Sequence, residues 1–115
     1  MPILSPDVAA EKLEGYPPEI LDAYQAFHER REPADLDRVV FGLIGFLMPV
    51  PAEQPLAQMD DSTRLREDLQ IDSITIAEAV FLIEELFDIS IRNEDLMKIE
   101  TIGDLRNHLR VTVTP

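Results

Sequence analysis

Residues 69–87, LQIDSITIAEAVFLIEELF, constrain the fold more than any other stretch. Ile76, Val80, Ile83 and Phe87 recur at spacings of four, three and four. That period places them on one face of an amphipathic helix. Glu78, Glu84, Glu85 and Asp88 fall mostly away from that face. Asp72 and Ser73 stand at the mouth of the helix, after a short polar break. The stretch thus offers a hydroxyl beside a carboxylate at a helix start, and an apolar side that must find a packing partner.

That partner has to come from a chain of 115 residues, enough for one domain with a modest core. With 45% apolar residues the chain is expected to fold, and with 6% aromatics and no tryptophan its core should be mostly aliphatic. The absence of cysteine excludes disulfides, cysteine-ligated metal sites and a cysteine nucleophile, and fits a reducing compartment. A formal net charge of −13 repels nucleic acid and anionic membrane surfaces. It predicts partners with basic patches, met by charge-steered encounter that salt weakens. Acidity can serve solubility alone, but here it concentrates around Ser73, which favours recognition. Residues 1–14 lack a basic start followed by an apolar core, so no signal peptide is expected. The longest apolar stretch, 39–51, is too short to span a bilayer, so the chain is expected in the cytoplasm without membrane insertion.

Before the central helix the pattern predicts three others. Ser5-Pro6-Asp7 reads as a capped start for a short helix that Gly15 stops. Ile20, Leu21, Tyr24, Phe27 and His28 share a face, predicting a helix over 18–31. Asp35 is expected to cap the next, which buries Leu36, Val39, Val40, Leu43, Ile44 and Leu47. Gly42 and Gly45 weaken it by about 0.8–1 kcal/mol each unless they permit close helix approach. Pro49, Pro51 and Pro55 open a long loop, with Leu56, Met59, Leu65 and Leu69 as its apolar anchors and Asp61 or Ser62 capping a turn. After the central helix, Ile89 and Ile91 alternate like a strand, but no second strand is available to pair with them. A short helix starts at Asn93 and buries Leu96, with Ile99 behind it. Thr101 and Asp104 form a capping-box pattern for the last helix, whose Ile102, Leu105 and Leu109 face inward. Residues 112–115 are expected to be a tail.

The run LREDLQIDSITIAEAVFLIEELFDISIRNEDLMKIETIGDLRNHL resembles the acyl carrier protein family, and the likeness extends over about residues 36–110. The family's hallmark, a D-S-L-type motif opening the second helix, reads Asp72-Ser73-Ile74 here. The resemblance implies an all-α bundle of three main helices plus one short helix. Residues 34–111 would form the carrier domain and residues 1–33 an added N-terminal helical segment. That segment is read either as a packing extension covering apolar surface or as a docking or dimer element. The resemblance also implies that Ser73 takes a 4'-phosphopantetheine arm from coenzyme A, with Asp72 serving recognition by the phosphopantetheinyl transferase. By the same resemblance, Ile74 and Glu78, and then Glu84 and Glu85, meet acyl-loading and acyl-processing enzymes. Val80, Ile83, Phe87, Leu96 and Ile99 are candidates to line an acyl cleft, and equally serve as ordinary core.

A serine hydroxyl needs an activating base or metal to act as a nucleophile. His28 and His108 are distant in sequence from Ser73, and no Gly-x-Ser-x-Gly elbow surrounds it. Ser73 is therefore read as the substrate of another enzyme, and no catalytic or metal-ligating residue is expected. A helix N-terminus suits a phosphodiester through its free amides and dipole, while Asp72 opposes it. Taken by itself, Ser73 would pass for a helix cap worth about 1 kcal/mol. An aminoacyl or polyketide carrier, and an unmodified acidic interaction module, remain the alternatives. Three residues depart from the family pattern: Gln70 where glycine is usual, Thr75 where an acid is frequent, and Arg92 where proline is common.

Overall fold

Ser5 opens the first helix, α1 (Pro6–Lys12), its hydroxyl accepting from the Val8 amide at 3.4 Å. The computed structural model describes residues 4–113. Gly15, at φ 89°, turns the chain where a side chain would be strained. α2 (Pro18–Arg30) follows and closes on Arg31, whose left-handed backbone lets its amide reach the Phe27 carbonyl at 2.8 Å. α3 (Pro33–Leu47) then starts from Glu32 rather than Asp35. Proline at the first helical position fixes the entry. Asp35 is instead buried in the first turn, paired with Arg30 at 3.0 Å and Arg38 at 2.9 Å.

The central helix, α4 (Ser73–Phe87), is followed by the single turn α5 (Asn93–Leu96) and by α6 (Ile102–Thr112). The described residues contain no strand, only an isolated bridge between Arg64 and Thr101. The architecture is the expected all-α bundle: α3, α4 and α6 as main helices, α5 as the short one, α1 and α2 as the N-terminal addition. Thr101 and Asp104 form the predicted capping box reciprocally, each side chain holding the other's amide at 3.1 Å. The expected tail is corrected in part. Helix α6 continues through Val111 and Thr112, Val113 caps it, and residues 114–115 lie outside the described residues.

The N-terminal segment packs into the core. Phe27 meets Phe87 edge-on at 5.6 Å, and Tyr24 lies 5.5 Å from the same ring. The Tyr24 hydroxyl sits 2.6 Å from the Leu4 carbonyl and 2.8 Å from that of Leu86. Burial pushes its pKa up to about 12, so it remains a donor across the working pH range. Gly42 explains itself here: a Cβ would come within 3.2 Å of Ile20, so the glycine permits close approach of α2 and α3. Among residues 4–33 the packing role of the extension is visible; residues 1–3 lie outside the described residues.

The long loop between α3 and α4 is tied down by α6. Leu56 sits in a 3₁₀ turn (Leu56–Gln58) and is buried with Leu65 and Ile71, while Met59 and Leu69 are only partly covered. The Gly103 amide donates to Asp61 O, and that of Ile102 to Thr63 O, each at 2.9 Å. A Cβ on Gly103 would lie 2.8 Å from the Asp61 side chain, a crowding that no sequence period reveals. Arg106 donates to the Ala57 carbonyl at 2.8 Å and also pairs with Asp61. Asp60, rather than Asp61 or Ser62, closes the turn by accepting from the Ser62 amide at 3.3 Å. Behind this, buried Asp37 meets Arg106 at 3.1 Å and Arg110 at 3.0 Å. Burial raises the Asp37 pKa, and the two arginines oppose that rise.

Candidate functional site

The start of α4 is built by Asp72, not by Ser73. Asp72 is the N-cap, and its Oδ1 accepts from the Thr75 amide at 2.7 Å. This hydrogen bond, with a lesser contribution from the Ile74 amide, holds the Asp72 carboxyl below its ordinary value. Ser73 is the first helical residue, and its side chain is exposed. Among the described residues nothing hydrogen-bonds its hydroxyl. The capping role considered for Ser73 therefore belongs to Asp72, which acts in stability as well as in any recognition. Thr75 is buried at 4% exposure and lends its amide to the Asp72 cap.

The turn leading into the site carries a cost. Gln70 adopts φ 56°, the left-handed conformation that glycine would take freely. The sequence departure at Gln70 thus keeps the backbone path and strains it by about 1–2 kcal/mol. Leu65 and Ile71 anchor the turn on either side, with the Ile71 amide donating to Leu65 O at 3.1 Å. Arg92 takes proline's place by capping α5, with Glu94 and Asp95 as ion partners at 3.4 and 3.2 Å.

The exposed face of α4 is a stripe. Ile74 and Phe81, at 69% and 63% exposure, flank exposed Glu78. Phe81, missed as a candidate, falls seven residues after Ile74 and could have been found by that spacing. Glu84 and Glu85 are partly withdrawn from the surface. Glu84 accepts from the Ile91 amide at 2.8 Å, and Glu85 pairs with Lys12 of α1 at 2.6 Å. The buried face is also rotated from the predicted one. Thr75, Ala79, Ile83, Leu86 and Phe87 are buried, whereas Ile76 and Val80 are half-buried. The cause is the N-terminal segment, which claims the Leu86 and Phe87 side through Tyr24 and Phe27.

Beside α4 lies an apolar cleft of about 40 Å³. Val80, Ile83, Leu96 and Ile99 line it. Phe87 does not, because it is held between Tyr24 and Phe27 on the other side of the helix. The space is small and its lining is almost wholly apolar. Among the described residues no helix is long and apolar enough to cross a membrane, and no cluster of His, Cys, Asp and Glu is placed to hold a metal.

Residues 49–109 match the family model described as a phosphopantetheine attachment site. The chain belongs to the acyl carrier protein family. It is 30% identical over 54 residues to the acyl carrier protein of Chlamydia felis (strain Fe/C-56), which covers 47% of this chain and 69% of that protein. No solved structure matches. The family's prosthetic group is 4'-phosphopantetheine, and its members are generally non-catalytic carriers. The matched residues contain α4, α5 and most of α6, but neither the α1–α2 segment nor α3. The site fits the group: an exposed hydroxyl with no competing hydrogen bond stands at the head of a helix of 15 residues. The fit differs from the expected one in one respect. Asp72 already takes the Thr75 amide, so a phosphodiester on Ser73 would be left in solvent rather than cradled by that amide.

Proposed function

We propose that Ser73 carries the 4'-phosphopantetheine arm and that the chain ferries acyl intermediates as thioesters between other enzymes. The pathway would be fatty-acid, lipid or secondary-metabolite biosynthesis, in the cytoplasm. The observation that supports this best is the free, exposed Ser73 hydroxyl at the first position of α4, inside the matched segment.

A transferase base removes the hydroxyl proton while the Ser73 oxygen attacks the β-phosphorus of coenzyme A. An O–P bond forms, the pyrophosphate bridge breaks, and adenosine 3',5'-bisphosphate leaves with the electron pair. The arm supplies a thiol that this cysteine-free chain lacks. Asp72 holds the first turn so that the hydroxyl points outward. Ile74, Glu78 and Phe81 offer an apolar-acidic stripe to basic partner surfaces, with Glu84 and Glu85 secondary because the fold already uses them. The carrier unit spans residues 34–111, and α1 and α2 of the N-terminal addition stiffen one flank of α4. A phosphopantetheinyl transferase and acyl-loading and acyl-processing enzymes are the partners. The chain itself has no turnover.

The test is the intact mass of the chain after incubation with coenzyme A, magnesium and a broad-specificity phosphopantetheinyl transferase. A gain of one phosphopantetheine unit, absent in Ser73→Ala, is expected. A folded wild type that gains no mass would favour an unmodified interaction module instead.

A further inference from the structure

The turn before Ser73 keeps a strained residue whose side chain the fold does not use. Gln70 holds φ 56°, where glycine would be free of strain. Its side chain is exposed and, among the described residues, makes no hydrogen bond. Backbone strain of this kind gathers at functional sites. Gln70 lines a hollow of about 430 Å³ between the end of α3, the loop that follows it and the turn before α4. That volume falls within the ~300–1,000 Å³ of small-ligand sites. The hollow shares no lining residue with the cleft beside α4.

The lining restricts what the hollow can take. Met48, Val50, Met59 and Leu69 give it apolar walls, and the flexible methionines can reshape around a branched guest. Gln54 adds a second side-chain amide that makes no hydrogen bond among the described residues. Each of these amides offers both donors and an acceptor. Among the described residues no cation lines the hollow, and Glu53 and Asp68 make it acidic. An anion is therefore disfavoured there. The matching ligand is neutral, with a branched apolar body and amide groups of its own.

Between its phosphate and its thiol a pantetheine arm is such a ligand: uncharged, with a dimethyl-substituted carbon, a hydroxyl and a pair of amides. Its attachment point, Ser73, is exposed and lies three residues after Gln70. Resting on the carrier reading above, we propose that this hollow seats the arm, with the side-chain amides of Gln70 and Gln54 hydrogen-bonding the amides of the arm. The dimethyl carbon packs on Met48 and Met59, and the phosphodiester stays in solvent at Ser73. The arm then rests on the loop between α3 and α4 and not along the cleft. Tethering holds it at high effective concentration, so a weak seat suffices. Gln70 is kept in place of glycine because only a side chain supplies the hydrogen bond.

The experiment loads wild type, Gln70→Gly and Gln54→Ala from isotope-labelled coenzyme A and reads the arm by NMR. Gln70→Gly relieves the left-handed backbone, so a change in it does not come from a damaged fold. In loaded wild type, the dimethyl protons of the arm should show cross-relaxation to the methyls of Met48 and Met59. The side-chain amide resonances of Gln54 and Gln70 should shift on loading. The amides of the arm should exchange about two- to tenfold more slowly in wild type than in Gln70→Gly, the scale of one net hydrogen bond. Gln54→Ala should show a loss of the same kind. Arm contacts to Val80 and Ile99 in place of the methionines would overturn the proposal. So would exchange that is equal in all three proteins, or as fast in wild type as in free pantetheine. These outcomes leave the Ser73 assignment standing. A wild type that gains no mass, seen before any NMR is recorded, removes that assignment and the proposal with it.

Discussion

The two flanks of α4 are built differently. On one, Tyr24 and Phe27 of α2 close over Phe87, and all three rings are fully buried. On the other, α5 is a single turn, Leu96 and Ile99 are half-buried, and Met97 is 77% exposed. The first flank belongs to the N-terminal segment outside the family match, and the second belongs to the matched carrier. The difference lies in how tightly each flank is packed. Interlocked aromatic packing resists expansion, whereas a short turn resting on half-covered aliphatic side chains can move at low cost. Burial of Phe87 on the aromatic flank also explains why it is absent from the cleft.

The sharpest way to break this comparison is to truncate one apolar side chain on each flank. Phe27→Ala should cost about 3–5 kcal/mol, measured by urea unfolding, because it leaves a cavity against Phe87. A loss of less than ~1.5 kcal/mol would mean that the N-terminal segment rests on the bundle without supporting it. Ile99→Ala on the other flank should cost only about 1–2 kcal/mol, since the side chain is already partly solvated. Equal losses at the two sites would erase the distinction.

Tyr24→Phe should lose about 1–2 kcal/mol, because the Leu4 and Leu86 carbonyls lose the phenol they share. Amide exchange should accelerate near residue 4 and at the end of α4, and leave the cleft side unchanged. Gln70→Gly should gain about 1 kcal/mol by relieving the left-handed backbone, with no change in loading at Ser73. A loss of stability there would show that the glutamine side chain offsets its own strain.

The smallest effect is in the pH dependence, and its sign differs between groups. Hydrogen bonds to backbone amides hold Asp72, through Thr75, and Asp104, through Glu100, below the ordinary value of 3.8. Their stabilisation is complete above that value and is lost as pH falls through their folded values. Asp37 runs the other way: burial raises it, so its ionisation opposes folding, and protonation below its folded value relieves that cost. An acid titration of Asp72→Asn should therefore show a shallower loss below about pH 4 than wild type. Asp37→Asn should steepen the net loss, because the group that offsets it is gone.

Much of this was legible in the residues. The 3.6-residue period of α4, the Thr101–Asp104 capping box and the Ser5-Pro6 start depend on neighbours three or four positions apart, and local spacing determines them. So does the family likeness around Asp72-Ser73-Ile74, since it lies in the order of the residues themselves. What spacing misjudged were matters of contact. Nothing local distinguishes Asp72 from Ser73 as the cap of α4, because either side chain can reach a first-turn amide and backbone dihedrals decide between them.

The sequence by itself determined the helices, the acidic charge and the candidate hydroxyl at the head of α4. Only the tertiary structure decided which side of α4 is buried, since Tyr24 and Phe27 approach it from more than fifty residues away in sequence. It also decided that Glu85 is paired with Lys12, that Gly103 must remain small beside Asp61, and that Arg66 stands unpaired at the cleft. The physical reason is common to all of them. Helical period specifies which residues share a face, but burial, ion pairing and crowding depend on what other part of the chain arrives at that face.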